Sequence, residues 1–155
     1  MHDYGKKPRS NAAPLRATQP GFTARSVEAN SLAGTLPAFE RIEDWMRVLG
    51  YPQSDLVAVL LATREAVLNA VRHGLRGDPA KQVRLRYLVT PSEVWIEVED
   101  DGTGFNPASV PGATADWQAQ HRRGRGLFLM RSYTDWMTFN PAGNRVTLCR
   151  RRTEA

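Results

Sequence analysis

Residues 65–74, Glu-Ala-Val-Leu-Asn-Ala-Val-Arg-His-Gly, read as the end of a helix with its polar groups gathered on one side. Two glycine segments answer it further along, Asp100-Asp-Gly-Thr-Gly-Phe105 and Gly124-Arg-Gly-Leu-Phe-Leu-Met130. In that order they supply a carboxylate, a side-chain amide able to bind a metal, and two stretches where backbone can come close to a ligand. A fold that uses all three must bring one helix and two turns to a single place. Together they predict a nucleotide site.

Periodicity supplies the elements between and around these segments. Residues 22–29 read as a first strand. Ser31 is placed to cap a helix ending at Gly50, with Leu32, Leu36, Phe39, Ile42, Trp45, Met46 and Leu49 as its apolar stripe and Pro37 near its start. Ser54 is expected to cap a second helix, with Asp55 in the first turn where the helix dipole favours negative charge. Leu56, Val59, Leu60, Thr63, Val67, Ala70 and Val71 form its buried side, and Gly74 and Gly77, followed by Pro79, end it. Residues 82–89 and 94–100 alternate apolar and polar side chains, as an antiparallel hairpin with one buried face does. Residues 106–123 read as a loop containing Trp117. A third helix is expected from Gly124 or Gly126 to about Tyr133, and two last strands at 136–140 and 145–150 around Pro141-Ala-Gly-Asn144. Trp45 and Trp136 are expected in the core. The division that follows is a mobile, proline- and glycine-bearing arm over 1–21 and one α/β domain over 22–152.

The chain has 155 residues, enough for one real core, and a formal net charge of +5. That charge does not mark a nucleic-acid-binding face. Lys6, Lys7, Arg9 and Arg16 against Asp3 give +3 at the start, and Arg150, Arg151 and Arg152 against Glu154 give +2 at the end, so residues 21–149 are neutral. Solvated tails are the simpler reading, and no direct nucleic-acid partner is expected. No apolar run approaches the ~20 residues of a membrane span. The N-terminus has basic residues without the apolar stretch of a signal peptide. Cys149 is the only cysteine, which excludes an internal disulfide and fits a reducing cytoplasm.

Each chemical segment also has a plainer reading. Glu65 and Asn69 are four apart and share a helix face, where a carboxylate can act as general base and an amide oxygen can bind Mg²⁺. Alone, that pair is a solvated polar face, and His73 alone is a helix-end hydrogen-bonding residue. Asp100, directly after a strand, can accept a hydrogen bond from an exocyclic amine while Gly102 and Gly104 let backbone lie against a flat ring. Alone, it is an acidic glycine turn, with Asp101 as a competing carboxylate. Gly124-x-Gly126 before a helix can offer N–H groups to phosphate, with Arg122, Arg123 and Arg125 alongside. Alone, it is a flexible loop. Neither the dinucleotide fingerprint nor a P-loop occurs. Thr147 in the last strand is able to approach a base but reads more simply as a strand threonine.

The three motifs taken in order resemble the anti-sigma factor serine/threonine kinases of bacterial partner-switching systems, within the Bergerat-type ATP-binding superfamily shared with histidine kinases, gyrase and MutL. The resemblance covers about residues 22–152. It implies a two-layer α/β sandwich with a mixed, mostly antiparallel sheet, and ATP and Mg²⁺ as cofactors. It implies Glu65 as catalytic base and Asn69 as Mg²⁺ ligand. Asp100, with Gly102 and Gly104, would hold the adenine. Gly124 and Gly126 would border the phosphates, with His73, Arg123, Arg125 and Leu127 beside the nucleotide and residues 106–123 as the lid. The partners implied are an anti-anti-sigma antagonist, phosphorylated on serine or threonine, and a sigma factor, with dimers common. The rival from another class is a nucleotide-gated module that sequesters a sigma factor or other regulator without phosphorylating anything. A histidine-kinase fragment is disfavoured, because no phosphoacceptor helix pair precedes the domain.

Overall fold

The computed structural model describes residues 18–19, 22–106 and 122–154. Most of the expected arm, 1–21, and most of the expected lid, 106–123, lie outside the described residues. β1 (Thr18–Gln19) and β2 (Phe22–Thr23) form a short antiparallel pair. β3 (Arg25–Ala29), β4 (Val83–Val89), β5 (Glu93–Asp100), β6 (Trp136–Phe139) and β7 (Arg145–Arg151) form one sheet in the order β3-β4-β5-β7-β6. All four pairings in it are antiparallel, so the expected mixed sheet narrows to an antiparallel one. Helices α1 (Leu32–Val48), α2 (Gln53–Asn69) and α3 (Arg122–Tyr133) make up the second layer.

The hairpin is the anchor. Val83, Leu85 and Tyr87 of β4 face the helices with Val94, Ile96 and Val98 of β5, in the register Val83↔Asp100 to Val89↔Val94. On α1, Ser31 caps the first turn by accepting from the Gly34 N–H at 3.2 Å. Its core face is Thr35, Ala38, Ile42 and Met46. Fully burying Ile42 and Met46 stabilises the fold by about 2–3 kcal/mol each. The expected stripe is therefore partly wrong: Leu36 and Trp45 are 47% and 43% exposed. Both lie at the margin of the 3.6-residue stripe, one position too far round the helix to reach the sheet.

α2 also departs from expectation at both ends. Its cap is Pro52, not Ser54, and no side chain caps it. Asp55 is the first-turn acid, as expected, and is fully buried. At the other end the α-helix does not run to Gly74. It widens after Asn69 into a π-type turn over Ala70–Leu75, closed by Arg76 at φ 48° and Gly77 at φ 75°.

The far face of the sheet carries the polar partners of the alternation. Arg84 binds Glu99 (2.7 Å) and Asp101 (3.0 Å), and Arg86 binds Glu97 (3.2 Å). Leu88, Trp95, Cys149 and Trp136 lie side by side across four strands of this face. Trp136 stacks edge-on against Trp95 at 5.5 Å there, rather than in the helix-facing core. Thr147 shares the face, opposite Glu97 and Thr138, so it does not reach the helix side where the glycine segments meet. Two of the three C-terminal arginines are tied to the domain rather than solvated at their heads: Arg150 binds Asp55, and Arg152 donates to the Leu49 carbonyl at 3.0 Å and lies over the Tyr51 ring, while Arg151 is exposed as expected.

Candidate functional site

The three motifs converge. α2 and β5 carry Asn69 and Asp100 to a pocket between helices and sheet, and the π-type turn adds His73 and Gly74. Ala66, Ala70, Val98 and Met130 give it apolar walls, and Gly104, Phe105 and Phe139 close one side. The two phenylalanines meet edge to face at 5.0 Å. An apolar pocket with a few convergent polar groups is the usual form of a small-molecule site.

Asp100 is the last residue of β5 and is only 8% exposed. Gly102 N–H donates to its Oδ1 at 2.8 Å. Burial pushes its pKa up, the Gly102 N–H opposes this, and the negative Asp101 and Glu99 add to the rise, so the net shift is upward. Asp101 points elsewhere: it accepts from Gln82 N–H (2.9 Å) and from Arg84 (3.0 Å). The choice between neighbouring carboxylates is thus settled geometrically in favour of Asp100 as the one in the pocket.

Glycine is required around that carboxylate. A β-carbon at Gly74 would overlap the Asp100 carboxyl group, and one at Gly102 would lie 2.6 Å from the Gly74 carbonyl oxygen and 2.7 Å from Asp100 Oδ1. Gly104 has φ 76° and packs its backbone against Ala142, while Gly143 packs against Phe105. The β6–β7 turn therefore props the Asp100 loop. Asn144 fastens it, donating from Nδ2 to the Asp100 carbonyl (3.0 Å) and accepting from the Asp100 N–H through its own carbonyl (2.9 Å). Asn140 in turn binds Asn144 at 2.7 Å. Sequence reading missed Gly143 and Asn144. The Pro-Ala-Gly-Asn turn was visible, but nothing in it says that its backbone meets a loop some forty residues away.

At the other end of the site, α3 begins at Arg122, two residues before the expected start, so Gly124 and Gly126 lie inside its first turns. Gly124 sits where helical amides lack intrahelical acceptors. A β-carbon at Gly126 would lie 3.2 Å from Glu65 Oε2 and 3.4 Å from Asn69 Nδ2, so this glycine brings the α3 backbone onto the Glu65–Asn69 face. Glu65 itself does not line this pocket. It lies at its α3 end, with a side chain 21% exposed and a long contact of 4.0 Å to the more exposed Arg64. A pair that long and that solvated leaves the carboxylate available. Arg125 is exposed, and the side chains of Arg122 and Arg123 fall outside the described residues. Leu127 is 2% exposed, and its side chain is packed in the core. Among the described residues no group of three or more His, Cys, Asp or Glu could hold a metal. The Asn69 side-chain amide lines the pocket.

These features define the class. The family model described as the histidine kinase-like ATPase domain matches residues 29–150, and the chain belongs to that family. Within it, the chain is similar to the serine-protein kinase RsbW of Bacillus licheniformis, 28% identical over 93 residues that cover 56% of this chain and 58% of that protein. It is 25% identical over 92 residues to the serine-protein kinase RsbW of Listeria monocytogenes serotype 4a, covering 56% and 59%. It is 26% identical over 129 residues to the anti-sigma F factor of Geobacillus kaustophilus, covering 81% and 84%. The chain thus spans under two thirds of the RsbW kinases and most of the anti-sigma F factor. No described helix is long and apolar enough to cross a membrane.

Proposed function

We propose that this chain binds Mg²⁺·ATP between α2, α3 and the sheet and transfers the γ-phosphoryl group to a serine or threonine of a partner protein, acting as an anti-sigma regulatory factor. The observation that carries this reading is the placement of Gly126 against Glu65 and Asn69, with the Asp100 pocket at the other end of the same cleft. The apolar walls suit a purine ring, and the free side of the Asp100 carboxylate suits its exocyclic amine. The start of α3 presents backbone N–H groups and positive dipole to phosphates. Mg²⁺ prefers hard oxygens and keeps water and phosphate as ligands, so a single amide oxygen from Asn69 fits it. Bound there, the ion would neutralise charge on the phosphate oxygens. Glu65 would orient the acceptor hydroxyl and take its proton as the oxygen attacks. The acceptor fitting this scheme is an anti-anti-sigma antagonist, whose phosphorylation state would decide whether antagonist or sigma factor is held.

Transfer of label from γ-labelled ATP to a candidate antagonist tests the reading, with serine or threonine phosphate as the expected product. Stable nucleotide-dependent binding of the antagonist with no transfer would favour the rival, a nucleotide-gated binding module.

The Asp100 pKa adds a pH dependence. An amine donor binds the ionised carboxylate, and the ligand-free pKa lies above the usual 3.8. ATP affinity should therefore hold at neutral pH and fall as the pH drops through that raised value. Calorimetry across mildly acidic pH should show proton release on binding. A flat affinity down to pH about 4, where an ordinary Asp begins to protonate, would contradict the role of Asp100.

A further inference from the structure

At the opposite end of α2 from Glu65, about 15 Å away at 1.5 Å per residue, lies a second buried charged cluster. Asp55 is fully buried. Its Oδ1 accepts from Arg150 Nε (3.0 Å), Arg150 Nη2 (2.7 Å) and Thr153 Oγ1 (2.8 Å), and its Oδ2 accepts from Thr153 N–H (2.8 Å). The remaining arm of the fork, Arg150 Nη1, donates to the carbonyl of Tyr133 at 3.3 Å. Tyr133 is the last residue of α3. One guanidinium therefore joins the first turn of α2 to the final carbonyls of α3, where a cation also suits the helix dipole.

Geometry gives this tie a consequence at the far end of both helices. α2 runs from Asp55 to Glu65 and Asn69, and α3 runs back from Gly126 to Tyr133. The two helices are joined by a charged side chain at the Asp55 end. At the Gly126 end, where phosphates would lie, they meet through a glycine with no side chain to fix the spacing. Leu127 and Met130 pack α3 into the core between these ends.

We propose that Arg150 is a positioning residue for nucleotide binding: by pinning the C-terminal end of α3 to the start of α2, it sets the separation between Gly126 and the Glu65–Asn69 face. It touches no ligand and acts through α3. The proposal rests on the ATP-site reading above. Removing the tie frees the C-terminal end of α3, and a helix packed as one rigid element passes a tilt at that end to Gly126 at the other.

The test separates positioning from plain destabilisation. ATP with Mg²⁺ is titrated calorimetrically into wild type, Arg150→Met, Arg150→Lys and Ile42→Ala, at a temperature where circular dichroism shows all four folded. Ile42 is a fully buried α1 residue and serves as the stability control. The expected result is ATP binding weakened about tenfold in Arg150→Met, with Ile42→Ala within about twofold of wild type despite a comparable loss of Tm. Arg150→Lys keeps a charge for Asp55 but lacks the fork that reaches Tyr133, so it should weaken ATP binding while remaining folded. It carries the test if Arg150→Met does not fold. Wild-type affinity in the Arg150 variants, or an equal loss in Ile42→Ala, would overturn the proposal. Failure of wild type itself to bind ATP would overturn the nucleotide reading and this proposal with it, an outcome distinguished by needing no variant.

Discussion

Glu65→Ala should lower phosphoryl transfer to a serine- or threonine-bearing antagonist by about 10²- to 10⁴-fold, the usual contribution of a positioned general base, while ATP affinity changes little. The separation of the two effects follows from geometry. Glu65 lies outside the pocket lined by Asp100, His73 and Asn69, and it meets the start of α3 through Gly126. On the proposed reading, an acceptor hydroxyl arriving at the phosphate end would be the group it meets. Single-turnover transfer with saturating ATP measures the chemical step, and calorimetry measures binding. Loss of rate with intact ATP binding supports the general-base role. Transfer at the wild-type rate would remove Glu65 from the mechanism, and equal losses in both measurements would make it a nucleotide-binding residue instead.

Asp55→Ala should cost about 3–5 kcal/mol of stability, toward the lower end, because it strands the Arg150 guanidinium and the Thr153 N–H without their acceptor. Arg150 retains 22% side-chain exposure, so water recovers part of its hydration. For a domain of this size the loss corresponds to a Tm drop on the order of 10 °C, readable by calorimetry. The pH dependence has a definite sign. Burial pushes the Asp55 pKa up, but the Thr153 N–H, the Arg150 guanidinium and the Thr153 hydroxyl outweigh it, and the net shift is downward from 3.8. A depressed carboxylate pKa gives stability that is fully present above the unfolded value and is lost as pH falls below about 3.8 toward the folded value. Wild type should therefore lose part of its advantage over Asp55→Ala only below that pH. An advantage that vanishes already at pH 6, or a variant as stable as wild type at pH 7, would contradict the account of this cluster.

Much of the architecture is legible in the chain because the signals are local. The alternation of Val83, Leu85 and Tyr87 against Val94, Ile96 and Val98 sets the hairpin and its buried face without reference to anything distant. Ser31 announces the start of α1 through its own side chain. The motif segments were legible for a similar reason, since Glu65-x-x-x-Asn69 needs only helical spacing, and Asp100-x-Gly-x-Gly needs only a strand before it. What stayed hidden depends on contacts between remote segments. Asp55 reads only as a first-turn acid until Arg150 and Thr153 arrive from the other end of the chain. Gly74 reads as a helix stop, yet its lack of a side chain is required by Asp100, and the π-type turn that brings it there leaves no mark in the apolar pattern. Asn144 looks like an ordinary turn residue, although it secures both backbone groups of Asp100. Trp45 shows the opposite failure: a large apolar residue at the edge of a helical stripe was assigned to the core and stands on the surface.

The central claim, that the convergence of Asn69, Asp100 and the start of α3 is a Mg²⁺·ATP site, is tested most directly by titrating the purified chain with ATP calorimetrically, with and without Mg²⁺, alongside Asn69→Ala. Saturable binding that depends on Mg²⁺ and is lost in Asn69→Ala is the expected result. No binding at millimolar ATP, or binding indifferent to both the metal and Asn69, would contradict it.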